Sequence, residues 1–146
     1  MNRGNVEEVL LEMGTPIRTK GFKYIEDAVL LLDDPDWCAA KWTAIYNKIA
    51  RMNSTTATKV ERNIRTALET TRDNVANFDA VEKYIGFHNC QNSNSLIRLH
   101  QTIRKDIVDS NITDSDKIVI GTDYLKQLIY SAVDQILKEQ ILKGAV

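Results

Sequence analysis

The stretch Ile45–Glu69, IYNKIARMNSTTATKVERNIRTALE, decides how this chain folds. It predicts two short amphipathic helices joined by a polar turn at Asn53–Thr55. At 100° per residue, Val60, Ile64, Ala67 and Leu68 of the second helix fall within roughly a third of the circumference. Opposite their centre lie Arg62 and Glu69, flanked by Thr58, Lys59, Arg65 and Thr66, with Glu61 at the boundary. In the first helix Ile49 and Ala50 face the second, and the small alanine lets the two approach closely.

The flanks on both sides are also helical in pattern. Asn5 with Glu8 has the spacing of a capping box, and Val6, Val9, Leu10 and Met13 form one stripe. Gly14 suits the position just past a helix end, and Thr15-Pro16 prevents continuation. A second helix, about Lys20–Asp33, should bury Phe22, Ile25, Ala28, Val29 and Leu32. Asp34-Pro35 ends it, and Asp36 is placed to cap a helix carrying Trp37, Cys38, Trp42, Ile45, Tyr46 and Ile49. Both tryptophans are expected in the core. The helix after the polar turn should run from about Thr56 to Asp73, followed by Asp79–Ile85 and Ser95–Asp106 around an asparagine-rich loop, Gly86–Asn94.

Beyond that, Asp109–Asp116 (DSNITDSD) reads as part of a polar linker over 107–121, after a first domain of 1–106. The remainder, 122–146, holds a C-terminal amphipathic helix, Thr122–Leu142, striped by Leu125, Leu128, Ile129, Ala132, Val133, Ile136, Leu137 and Ile141. With two prolines, six glycines and no alternating β-branched runs, the expected class is all-α. The architecture expected is a multi-helix bundle containing a helix-turn-helix, plus the extra C-terminal helix.

Net charge is −1, yet its distribution is uneven. Residues 41–72 hold seven basic side chains (Lys41, Lys48, Arg51, Lys59, Arg62, Arg65, Arg72) against Glu61 and Glu69. Residues 1–40 hold four basic and eight acidic ones. Salt screens charges beyond roughly 8–10 Å, so a phosphate backbone feels the local excess rather than the total. A cationic outer face on a short helix suits the major groove of double-stranded DNA. Arginine can bond guanine O6 and N7 in bidentate fashion, and a carboxylate can accept from cytosine N4. Threonines at the helix start suit phosphates.

Other chemistries find little support. His88 and His100 have no carboxylate or cysteine at useful spacing except Cys90, and a lone His-x-Cys is a weak metal signal. Asp33, Asp34 and Asp36 read as helix-end residues. No glycine-rich phosphate loop, nucleophile elbow or carboxylate pair appears, so neither enzyme activity, a metal nor a cofactor is expected. Cys38 and Cys90 are expected as free, buried thiols of a cytoplasmic protein. The longest apolar run, Ala28–Leu32, is far below the ~20 residues of a membrane span, and the acidic N-terminus is not a signal peptide.

These residues bring a family into view. The chain resembles the C-terminal DNA-binding domain of the sporulation initiation response regulator (stage 0 sporulation protein A). The likeness runs through Leu10-Leu11-Glu12-Met13-Gly14 with Pro16, Lys20-Gly21-Phe22-Lys23-Tyr24, and Tyr46, Ile49 and Ala50. It is densest from Thr55 to Arg65, continues in Ala67 and Glu69, and echoes in Gly86-Phe87 and Asn94-Ser95. The resemblance implies a six-helix domain whose recognition helix enters the major groove, bound in tandem or as a dimer. By position it assigns Lys59, Glu61, Arg62 and Arg65 to base and backbone contacts, and Thr55, Thr56 and Thr58 to phosphates. Ser54 replaces the family's asparagine in the turn and Thr66 a histidine, which puts operator preference in doubt.

Met1 lies just before the first helix, so no receiver domain, and no phosphorylation control within the chain, is expected. The tail from about Ile107 has no counterpart in the family. Its helix either folds back on the core or pairs with a second copy, replacing the receiver as dimerisation device. A second functional reading is a receiver-less interaction module that pairs with a full-length response regulator and modulates it.

Overall fold

The computed structural model describes residues 1–118 and 129–139, and the side chains of 1–112 and 129–139. Among them are helices and turns and no strand. The helices are α1 (Arg3–Met13), α2 (Lys20–Asp33), α3 (Trp42–Met52), α4 (Ala57–Asp73), α5 (Phe78–Tyr84), α6 (Asn92–Ile118) and α7 (129–139). Residues Met1–Ile107 form one compact unit and Val108–Val146 another.

The core of the first unit follows the apolar stripes. Val6, Val9, Leu10 and Met13 of α1 meet Phe22, Ile25, Ala28, Val29 and Leu32 of α2. Ile45, Ile49 and Ala50 of α3 and Val60, Ile64, Ala67 and Leu68 of α4 complete the centre, and Leu96, Leu99 and Ile103 of α6 close one side. The broadest packing is α2 against α4, followed by α3 against α4. Gly21 permits the first of these. A Cβ there would lie 2.3 Å from the Asn63 carbonyl oxygen and 2.7 Å from the Ala67 Cβ, so α2 rests directly on the backbone of α4.

Several boundaries depart from the sequence expectation, each for a local reason. The capping box of α1 is Asn2 with Asn5 rather than Asn5 with Glu8, because Asn5 can itself return a bond to the cap amide. Gly14 does end the helix, at φ 81°, with the left-handed geometry that glycine adopts freely. Asp36 caps nothing. The Asp34 carboxylate accepts its amide instead (2.9 Å), closing an Asx-type turn, and α3 begins only at Trp42. Trp37 and Cys38 therefore sit in the turn. Both tryptophans are half-buried at the margin of the core, Trp37 under Lys48 Nζ (5.7 Å) and Trp42 beside Tyr46.

Cys38 and Cys90 are free but exposed, not buried, since each lies in a connection rather than on a stripe. Asp109–Asp116 is helical rather than a linker. No glycine or proline interrupts the chain from Asn92 to Ile118, so its polar composition does not break the helix. Of the expected C-terminal helix, residues 129–139 are helical and exposed, while 122–128 and 140–142, with Leu125, Leu128 and Ile141, lie outside the described residues.

Charged residues tie the ends of elements together. Asp33, at the end of α2, accepts from His100 Nε2 (3.0 Å) and from Arg104, and its second oxygen lies 3.5 Å from the N-terminal ammonium. Asp106 accepts from Lys83 Nζ (2.8 Å) and the Tyr84 hydroxyl (2.7 Å). Burial pushes both carboxyls up, but these donors outweigh it and hold them below the usual range. Glu26 is the opposite case. It is buried, its Oε2 has no hydrogen-bond partner, and burial pushes its carboxyl up despite Arg3 at 3.5 Å.

Two outcomes are expected. Gly21→Ala should force α2 off α4 and cost about 1–3 kcal/mol or more, lowering the urea midpoint at constant m-value. Lowered folded-state pKa values at Asp33 and Asp106 supply stability that is present above their ordinary range and lost as pH falls through the folded values. The raised Glu26 works the other way, its contribution present below the ordinary glutamate range and lost as pH rises through the folded value. Glu26→Met should therefore raise stability at pH 7 by about 1 kcal/mol and flatten the mildly acidic limb of the stability profile.

Candidate nucleic-acid interface

The connection between α3 and α4 spans only Asn53–Thr56, and each residue in it has a defined task. Asn53 Nδ2 bonds both the Ile49 carbonyl (2.8 Å) and Asp27 Oδ2 (3.0 Å). Asp27 is 2% exposed on α2, and its other oxygen takes Arg3 of α1 at 2.6 Å. That bond, with the field of Glu26, holds the Arg3 guanidinium above its ordinary range. A chain from α1 through α2 thus fixes the turn. Ser54 adopts φ 53°, in the left-handed region where asparagine is more at ease than serine.

Thr55 is half-buried, and its amide bonds the Ala50 carbonyl (2.9 Å). Thr56, expected as the first residue of the helix, is its cap: its hydroxyl accepts the Lys59 amide at 3.3 Å. The amides of Ala57 and Thr58 open the helix and have no intrahelical acceptor. Along α4, Thr58, Lys59, Arg62, Arg65, Thr66 and Glu69 are exposed on the side away from Val60, Ile64 and Leu68. Of the sequence-derived candidates, Thr58, Lys59, Arg62, Arg65 and Thr66 share this exposed side, while Glu61 sits half-exposed at its margin and Thr55 and Thr56 lie in the turn before it.

Their charges are not equivalent. Arg65 Nη2 bonds Glu61 Oε1 at 2.8 Å, one turn away, so Glu61 is half-exposed and engaged rather than free. Arg62 and Lys59 have no ion-pair partner among the described residues. Arg72 leaves the basic face altogether. Its guanidinium bonds the Gly86 carbonyl (2.8 Å) and Ser95 Oγ (2.6 Å), and burial pushes it down from its ordinary range. Sequence reasoning counted it with the surface charge, and its place at the end of the helix gave no signal otherwise.

A second residue that the sequence did not reveal is Asn92, at the start of α6. It is 9% exposed, and its Nδ2 donates to the Glu61 carbonyl (3.0 Å) in mid-α4. Burial pushes the hydroxyl of Tyr46 on α3 up, and the neighbouring Asn92 side chain partly offsets this. An open groove of about 640 Å³ lies beside this junction, bordered by Trp42, Tyr46, Arg65, Glu69, Gln91 and Ser93. No group of three or more His, Cys, Asp or Glu side chains among the described residues is arranged to hold a metal. His100 serves Asp33 across 67 residues of sequence, a partner that local spacing could not show.

A helix seated on the core, held by polar contacts from both sides and presenting exposed cations to solvent, is the arrangement of a DNA-binding regulatory domain. The chain belongs to the sporulation initiation factor Spo0A C-terminal family, whose model matches residues 6–105. No helix among the described residues is long and apolar enough to cross a membrane.

Anchoring of the turn has a direct test. Asn53→Ala should cost about 1–2 kcal/mol by leaving the Asp27 carboxylate short of a donor, whereas Ser54→Gly should stabilise by up to about 1 kcal/mol. Thermal and urea unfolding of both variants measure this, and equal stability of Asn53→Ala and the parent would remove the turn's anchor from the account.

Proposed function

We propose that α3, the Asn53–Thr56 turn and α4 act as a helix-turn-helix that reads double-stranded DNA sequence-specifically, with α4 in the major groove. The observation that carries this is the pair of exposed cations Lys59 and Arg62, without an ion-pair partner among the described residues, on the seated helix of a chain from a DNA-binding family. Arg62 projects from the middle of the outer face and is the residue assigned to a base edge, guanine by preference. Arg65, held by Glu61, adds a second reader whose direction is already set. Glu61 then tunes base choice, through cytosine N4 or through Arg65. Lys59, Thr58 and the opening amides of α4 face the phosphates, with Thr55, Thr56 and Thr66 at the edges.

One recognition helix covers too few base pairs for tight, specific binding, so the domain works in two copies on its operator. Its action belongs in the cytoplasm, where the DNA is.

Binding measured on duplexes selected from a random pool tests the reading. Arg62→Ala should lose about 1–3 kcal/mol of specific affinity and relax preference at one position. Lys59→Ala should weaken all sequences alike and reduce the salt slope by about one unit. If Arg62→Ala bound the selected site as tightly as the parent, the assignment would fail.

A further inference from the structure

The family match ends at residue 105, and the chain continues into a second unit that carries exposed apolar side chains. Every residue from 129 to 139 is exposed. Ile129, Tyr130, Val133, Ile136 and Leu137 are 47–69% accessible and fall on one side of α7, while Ser131, Asp134, Gln135 and Lys138 fall on the other. In the same unit, Val108 and Ile112 stand one turn apart on α6 at 49% and 55% exposure. A helix with one apolar side draws its stability from burying that side, because helices this short are marginal alone.

We propose that this surface, α7 with Val108 and Ile112, is where two copies of the chain pair. Three observations select a second copy as the occupant. The apolar side carries no charge, so two identical faces meet without opposing like charges, as a two-fold interface requires. The area fits: at roughly 100 Å² apiece these seven side chains offer on the order of 700 Å² per chain, close to the ~800 Å² each partner gives a standard-size interface. Lastly, the polar side of α7 has two anions, Asp134 and Glu139, against the single cation Lys138, the reverse of a helix that binds anionic lipid. The proposal supplies the pairing that two-copy DNA reading calls for, and rests on that reading only for its purpose.

Sedimentation equilibrium of the full chain without DNA tests it, so the result is independent of whether DNA is read. The parent should be a dimer in the micromolar range. Val133→Asp with Ile136→Asp should raise the dissociation constant at least about a hundredfold, leaving the melting of the first unit unchanged. Lys138→Ala, on the opposite side, should dimerise like the parent. A monomeric parent, a doubly substituted chain that stays dimeric, or one whose first unit melts early would each overturn the proposal. The last result would place α7 in the chain's own core, and weakened pairing in Lys138→Ala would move the interface to the other side of the helix.

Discussion

The first unit depends on one close approach. Gly21 brings α2 onto the Asn63 carbonyl, and no other residue type fits at that distance. Because α2 is the helix that α1, α3 and α4 all meet, this crossing fixes how deep α4 sits. The depth decides which side chains of α4 reach solvent. Val60, Ile64 and Leu68 are sealed at 0–2% exposure, and the row from Thr58 to Glu69 through Arg62 is left standing clear. A side chain at position 21 would lift α4 and blur that division, since packed interiors respond to a single added methylene.

Around the crossing, polar contacts hold α4 at both ends and at the Glu61 carbonyl between them. Asn53 ties the entering turn to Asp27 and, through it, to Arg3. Arg72 ties the leaving end to the α5–α6 loop, and Asn92 pins α6 against the Glu61 carbonyl. Removing one member of such a network leaves the other as an uncompensated buried group, which costs more than the bond itself contributes. A helix proposed to read base edges benefits from this arrangement. Base-edge hydrogen bonds need donors placed to within fractions of an ångström, and a helix free to rock would lose that placement on each encounter.

What the sequence displayed was what periodicity encodes. The stripes of α1, α2 and α4 gave the buried residues because each is set by local spacing, and the end of α2 followed from Asp34-Pro35. Partners far apart in the chain left no such mark. Asp27 with Asn53, Asp33 with His100 and Arg72 with Ser95 each join residues 23 to 67 positions apart, and any of these polar side chains alone resembles a solvated one. Polar composition misled at Asp109–Asp116, where lack of apolar spacing was read as lack of helix. The exposed surface of α4 was legible because an outer face is simply the complement of the inner one.

Three arginines of α4 share a residue type and an origin in one basic segment, yet the structure gives them three different electrostatic lives. Arg72 is turned inward and satisfied by carbonyl and hydroxyl oxygens. Arg65 is partly neutralised by Glu61, a surface pair worth little to stability but able to set the direction of the guanidinium. Arg62 alone presents an uncompensated charge, with Lys59 beside it. A charge tally by segment therefore overstates the field of the face, where Lys59, Arg62 and Arg65 stand against Glu61 and Glu69 for a net of one positive charge. An attraction this modest raises encounter with any phosphate backbone only mildly. In the proposed reading, discrimination rests on the directed hydrogen bonds of Arg62 and Arg65 and on a second copy's matching pair, rather than on bulk charge.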